Sequence, residues 1–194
     1  MHGRRVAIVG IFGALSFLLT FIEFPIIPLL PFLKFDPSDS LIILVTMGYG
    51  FLPGFFTLII KSFLFIFRAG DGGLIGILMN FIAGTAFITT LYLLKNFVKL
   101  NNWINYVISS LLTGVVAYGL NYFIAIPVYT NQPTSQFVSN IGISLQVFFL
   151  LVLLFNFIKF FVDSSISHFL LKKTKITSFA QAKREEWGGF WNEF

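Results

Sequence analysis

Six apolar runs make up most of this chain, and they leave it few ways to fold. They cover residues 6–22, 40–49, 55–67, 74–94, 103–126 and 141–171. Of the 194 residues, 57% are hydrophobic and only 11% are charged. Soluble domains are about 45–50% apolar and about 25% charged. One core of this size cannot hide the excess, so the chain reads as an all-α integral membrane protein. Six transmembrane helices are expected within a membrane domain over residues 1–172, followed by a polar cytoplasmic tail over 173–194. The runs at 40–49 and 55–67 are short for a bilayer, which takes roughly 20 residues. They read as two helices around a Gly/Pro turn at 50–54, completed by flanking residues; a single kinked helix is the rival. Arg4 and Arg5 before an apolar run also fit a signal peptide, but no small-x-small cleavage site follows.

Between the first two runs lies FPIIPLLPFLKFDPSD, residues 24–39. Its prolines 25, 28, 31 and 37 lack backbone N–H groups and clash with a preceding helical turn, so the stretch is ordered but not helical. An apolar connection at a membrane surface must cover something, and it reads as a lid over a binding site. Its end, Asp36-Pro37-Ser38-Asp39, fits a helix start with Asp36 as the cap, Pro37 in the first position and Asp39 in the third.

Basic residues set the orientation. With the N-terminus cytoplasmic, the inner segments hold Arg4, Arg5, Lys95, Lys99, Lys172, Lys173, Lys175, Lys183 and Arg184, and the outer loops hold only Lys34 and Arg68. That positive-inside bias puts both termini in the cytoplasm and the proline loop outside. Trp187 and Trp191 in the basic tail fit a segment lying on the membrane surface, or a disordered end.

Several chemistries are excluded. The chain has no cysteine, so disulfides and thiolate catalysis are ruled out. His2 and His168 stand at opposite ends, and no His/Asp/Glu group has metal-ligand spacing. Walker, GxSxG and HExxH motifs are missing, so neither an enzyme nor an autonomous ATPase is expected.

Polar groups inside hydrocarbon are functional candidates. Here they are Lys61, Asn80, Asn121, Gln146, Asn156, Lys159 and Asp163. At 1.5 Å per residue, Asn80 lies about 9 Å below the outer end of its helix. Asn121 reaches a similar depth on the next helix, so both lie beneath the proline loop. They could contact a ligand or simply hydrogen-bond each other. Asn156 and Lys159 share a helix face, and Lys159 could serve a ligand or pair with Asp163 four residues on. Lys61 could snorkel, or pair with Asp36 or Asp39. Ala7, Gly10, Gly13 and Ala14 form a small-residue side on the first helix, suited to close packing within the bundle or against a partner.

The proline loop, the 50–54 turn, Lys61, GLIGILMNFIAG at 73–84, Asn121-Tyr122-Phe123 and FNFIK at 155–159 together resemble the riboflavin-specific substrate-binding (S) components of energy-coupling-factor (ECF) vitamin transporters. The resemblance covers roughly residues 4–172 and implies a protein of a prokaryotic cell membrane. It implies a site for riboflavin, with flavin mononucleotide (FMN) also accepted, at Leu33, Lys34, Asp36, Asn80, Gly84, Asn121, Tyr122, Asn156 and Lys159. It implies no cofactor beyond the transported ligand. It also implies docking to a transmembrane coupling (T) subunit and two cytoplasmic ATPases, with Ala7, Gly10 and Ala14 facing the T subunit. The rival functions are an S component for another vitamin or precursor, a stand-alone ion-coupled carrier, and a membrane enzyme acting on lipid.

Overall fold

The computed structural model describes residues 2–68 and 73–173. Side chains are described from Val6 onward, so the expectations for Arg4, Arg5, the 69–72 loop and the tail beyond Lys173 lie outside the described residues. The fold is mostly helical. Among the described residues, eight α-helices follow in order: α1 His2–Leu19, α2 Asp39–Tyr49, α3 Phe51–Phe65, α4 Gly73–Leu93, α5 Asn102–Leu120, α6 Ile126–Thr130, α7 Thr134–Asn140 and α8 Leu145–Lys173. Among the described residues, four stretches are long and apolar enough to cross a membrane: Phe51–Arg68, Gly73–Val98, Asn102–Thr130 and Leu145–Lys173. Val6–Leu19 and Asp39–Tyr49 are apolar but shorter.

The short helix α2 is the centre of the molecule. It touches α1, α3, α4 and α8, and nine of its eleven residues are buried. DSLIILVTMGY is apolar on nearly every side, and such a helix is stable only when surrounded. Around it, α3, α4, α5 and α8 pack in sequence, with α1 against α2 and α3. The α5–α8 contact is tight because Gly114 lacks a Cβ, which would stand 2.7 Å from Leu153 Cδ1 and 3.3 Å from its backbone. An inner core of Ile42, Ile43, Leu58, Phe87, Leu91, Tyr106 and Phe160 includes the stacked pair Phe87–Phe160, with ring centroids 4.6 Å apart.

Three boundaries differ from the sequence-based expectation. The α2–α3 break is Gly50 alone, at φ 108° and ψ 177°, a backbone region essentially confined to glycine. Pro53 falls in the first turn of α3, where its missing N–H costs no helical hydrogen bond. The fifth apolar run does not stop before Pro127. A π-helical turn, Asn121–Ala125, carries it into α6, with the Ile126 N–H donating to the Asn121 carbonyl five residues back. The wider turn lets the helix pass a proline that cannot donate. Residues 127–140, expected as a polar loop, therefore hold most of α6 and all of α7. The last helix starts at Leu145 rather than residue 141.

The proline segment is a small hairpin. Phe24–Pro25 pairs antiparallel with Lys34–Phe35. Between them, the Leu30 N–H donates to the Ile27 carbonyl and the Leu33 N–H to the Leu30 carbonyl, both at 3.0 Å. Pro28 and Pro31 occupy the second position of these two consecutive turns, where a fixed φ is favourable. Its apolar residues divide, with Leu29 and Phe32 exposed and others turned inward. Leu30, Leu33 and Phe35 are buried with Ala117, Val138, Phe148, Val152 and Phe155. The hairpin thus shares a core with α5, α7 and α8.

Candidate functional site

Beneath the hairpin lies a cavity of about 460 Å³, in the size range of small-molecule sites. Leu33, Lys34 and Asp36 line it from the hairpin side, Asn80 from α4, Asn121 from the π-turn, and Asn156 and Lys159 from α8. Seven residues singled out from the sequence therefore converge on one space, although they are spread over more than 120 positions. Gly84 and Tyr122 do not line it. Gly84 gives Leu58 room on α3, where a Cβ would meet its Cδ atoms at 3.2 Å. Tyr122 packs on Tyr118 and Phe123, and its carbonyl accepts a hydrogen bond from Thr134 at 2.6 Å.

Two of the lining residues, Asp36 and Lys159, belong to a buried ion cluster that continues behind the cavity wall. Lys159 Nζ lies 2.8 Å from Asp36 Oδ2 and 3.0 Å from Asp39 Oδ2. Lys61 Nζ lies 2.7 Å from Asp39 Oδ1 and donates to Asn80 Oδ1 at 3.2 Å. All four ionic side chains are at most 8% exposed. Burial pushes the Asp36 carboxyl upward, but the charges of Lys159 and Lys61 and the hydrogen bonds from Lys159 and Ser38 outweigh it. Asp36 is held well below the usual carboxylate range.

This cluster corrects several local expectations. Lys159 pairs with Asp36, 123 residues earlier in the chain, and not with Asp163. Asp36 does not cap α2; Ser38 holds that position and Asp39 begins the helix. Asp36 Oδ1 instead accepts from the N–H and hydroxyl of Ser38. Asn80 and Asn121 do not bond to each other. Asn121 Nδ2 donates to the Ala117 carbonyl and Asn156 Nδ2 to the Val152 carbonyl, each at 2.8 Å and four residues back. One amide hydrogen of each is used in fixing the side chain. The carbonyl oxygen and second hydrogen remain for whatever fills the cavity.

The walls are apolar, with Phe65, Ile77, Met79, Phe137, Phe155 and Phe160 among the lining residues. Sequence reasoning missed these, because in a chain with 27 phenylalanines a wall residue looks like any other. It also missed Glu23, which lines the mouth. Glu23 pairs with Arg68 at 2.8 Å and with Lys34 at 3.2 Å, so Lys34 is bridged rather than simply solvated. Arg68 also donates to the Thr20 carbonyl. The only available signal was an acidic residue beside an apolar run.

On α1 the small residues divide. Gly13 is buried against Ile60, whereas Ala7 and Ala14 are exposed and Gly10 is open, with nothing within 4 Å of the position its Cβ would take. Ala7, Gly10 and Ala14 thus form an unoccupied strip beside the exposed Ile11 and Leu18.

Comparison with known proteins gives a consistent result. Residues 4–171 match the family described as ECF transporter, substrate-specific component. The riboflavin transporter RibU of Staphylococcus aureus (strain TCH60) is 31% identical over 131 residues, covering 66% of this chain and 68% of the relative. That of Streptococcus thermophilus is 30% identical over 153 residues, covering 77% and 72%. A solved structure of the S component of a bacterial ECF transporter superposes with a TM-score of 0.72 at 28% identity, covering 89% of this chain and 96% of that one.

Proposed function

The chain belongs to the family of substrate-specific components of ECF transporters, and on that premise we propose that it captures riboflavin in the cavity beneath the hairpin and delivers it inward. The observation that carries this reading is the convergence of Asn80, Asn121, Asn156 and Lys159 on one apolar-walled cavity, in a chain 31% and 30% identical to two riboflavin transporters over the matched residues. A flat aromatic ligand gains from apolar walls, and a few polar groups fix its orientation. The isoalloxazine edge offers carbonyl and ring-nitrogen acceptors together with one N–H. Asn121 and Asn156 retain both a donor and an acceptor for such an edge, and Lys159 adds a cationic donor. The ribityl hydroxyls, or the phosphate of FMN, then lie toward the mouth, where Lys34 and Arg68 supply positive charge around Glu23. Leu33 to Asp36 close the site from above.

Transport follows the family plan. The protein sits in a prokaryotic cell membrane with both termini cytoplasmic, α1 and α2 completing six spans with their flanking segments. The open strip of Ala7, Gly10 and Ala14 receives the T subunit, and two cytoplasmic ATPases supply the energy. The chain itself is a binder and carries no catalytic residue.

Titration of the purified protein with riboflavin, read by quenching of flavin fluorescence, tests the reading. Saturable binding at one site per chain is expected, weakened about tenfold by Asn156→Ala for one lost hydrogen-bonding group. Protein that is correctly folded yet leaves flavin fluorescence unchanged would overturn the substrate assignment.

A further inference from the structure

One buried charge-bearing group is not used by the binding site. Asp163, on α8, is 0% exposed, and neither carboxyl oxygen has a hydrogen-bond partner. The nearby Ser167 hydroxyl is directed to the main-chain carbonyls of Ser40 and Asp163, at 2.5 and 2.7 Å. It is not directed to the carboxylate.

The charges around Asp163 are countable. Among the described residues, Lys159 and Lys61 are the two buried cations, and Asp36 and Asp39 are the anions paired with them. The groups acting on Asp163 are Lys159 on its own helix, Asp39 on α2, Asp36 on the hairpin and Lys61 on α3. From α5 comes no charged residue, and the Tyr106 hydroxyl is engaged with His168 Nδ1 at 3.0 Å. Among the described residues, an ionised Asp163 would be a third buried anion against two buried cations, and no hydrogen bond reaches its oxygens. An isolated buried carboxylate costs far more than a neutral acid.

We propose that Asp163 carries a resident proton while Asp36 holds Lys159, and that it gives up this proton when the hairpin lifts Asp36 away. Lys159 then loses one of its two carboxylates. The only other carboxylate on its own helix face is Asp163, four residues on, the spacing at which helical side chains meet. The O–H bond of Asp163 breaks, its proton leaves to water entering the opened site, and the carboxylate takes Lys159. Opening of the hairpin is thereby linked to the release of one proton, and acid favours the closed form. The linkage rests on the hairpin acting as a lid; the resident proton does not.

The test is infrared spectroscopy of the whole chain in lipid nanodiscs, without riboflavin, using ¹³C-aspartate labelling to separate aspartic from glutamic acids. The wild type at neutral pH is expected to show one protonated aspartic acid carbonyl band. Asp163→Asn, of the same shape, should abolish it. Asp36→Asn removes one anion from the cluster, so Asp163 should ionise to match Lys159 and the band should again vanish. In the double variant Asp36→Asn with Lys159→Met, the charges balance without Asp163 and the band should return. A wild type without the band, as a carboxylate or a carboxylate-bound metal cation would give, overturns the resident proton. A band that survives Asp36→Asn overturns the linkage, and neither result bears on whether riboflavin binds.

Discussion

Two ion clusters meet the same hairpin, and they differ in almost everything except their residue types. The inner one joins Asp36, Asp39, Lys61 and Lys159, with side chains at most 8% exposed. The outer one joins Glu23, Lys34 and Arg68, with side chains 13–30% exposed. Water screens the outer pairs, and exposed ion pairs contribute only about 0–1 kcal/mol. The inner pairs have given up hydration, so each partner depends on the other. Removing one leaves a buried charge and costs about 3–5 kcal/mol. The inner cluster holds the hairpin to α8 and α2, while the outer one tethers its rim.

That contrast can be broken experimentally. The largest effect is expected from Lys159→Met, which strands Asp36 in the interior; thermal unfolding in detergent should report a loss of about 3–5 kcal/mol. Next is Leu30→Ala, at a fully buried hairpin position, with a loss of about 2–5 kcal/mol in the same measurement. If the hairpin were only a surface flap, this substitution would have no effect. Third is pH. Asp36 is depressed below its ordinary value in the folded protein. Its contribution is therefore complete above the unfolded value of about 4 and is lost as pH falls through the lower folded value. Unfolding free energy should show no loss attributable to Asp36 above about pH 5, and wild type and Asp36→Asn should converge only in strong acid. The smallest effect belongs to Glu23→Gln, expected to change stability by about 0–1 kcal/mol and to lose even that at high salt. A large, salt-independent loss would show that the mouth cluster is as desolvated as the inner one.

Much of the architecture was legible because apolar runs and turn residues act locally. The positions of the helices follow the hydrophobic runs closely. The prolines marked residues 24–38 as non-helical, and the break between the second and third apolar runs fell within the expected 50–54 stretch, narrowed by the structure to Gly50. The depth argument put Asn80 and Asn121 near a common level, and both line the cavity. Local rules failed where the chain had a distant alternative. Helix spacing offered Lys159 the carboxylate of Asp163, yet Lys159 took two carboxylates from elsewhere in the chain. Capping rules offered Asp36 to α2, yet its Oδ2 went to Lys159. Proline rules ended the fifth helix at residue 126, yet a π-turn carried it on.

The sequence by itself determined that this chain is helical, with apolar runs long enough to cross a membrane and a non-helical, proline-built connection near its start, because hydrophobic length and backbone dihedral limits do not depend on distant partners. Only the tertiary structure decided which charges are mates, which asparagines face one cavity, and which carboxyl is left over. Those outcomes depend on electrostatics in a buried space, where a pairing is worth most and an unmatched ion costs most. That space exists only after the hairpin, α2, α3 and α8 have come together.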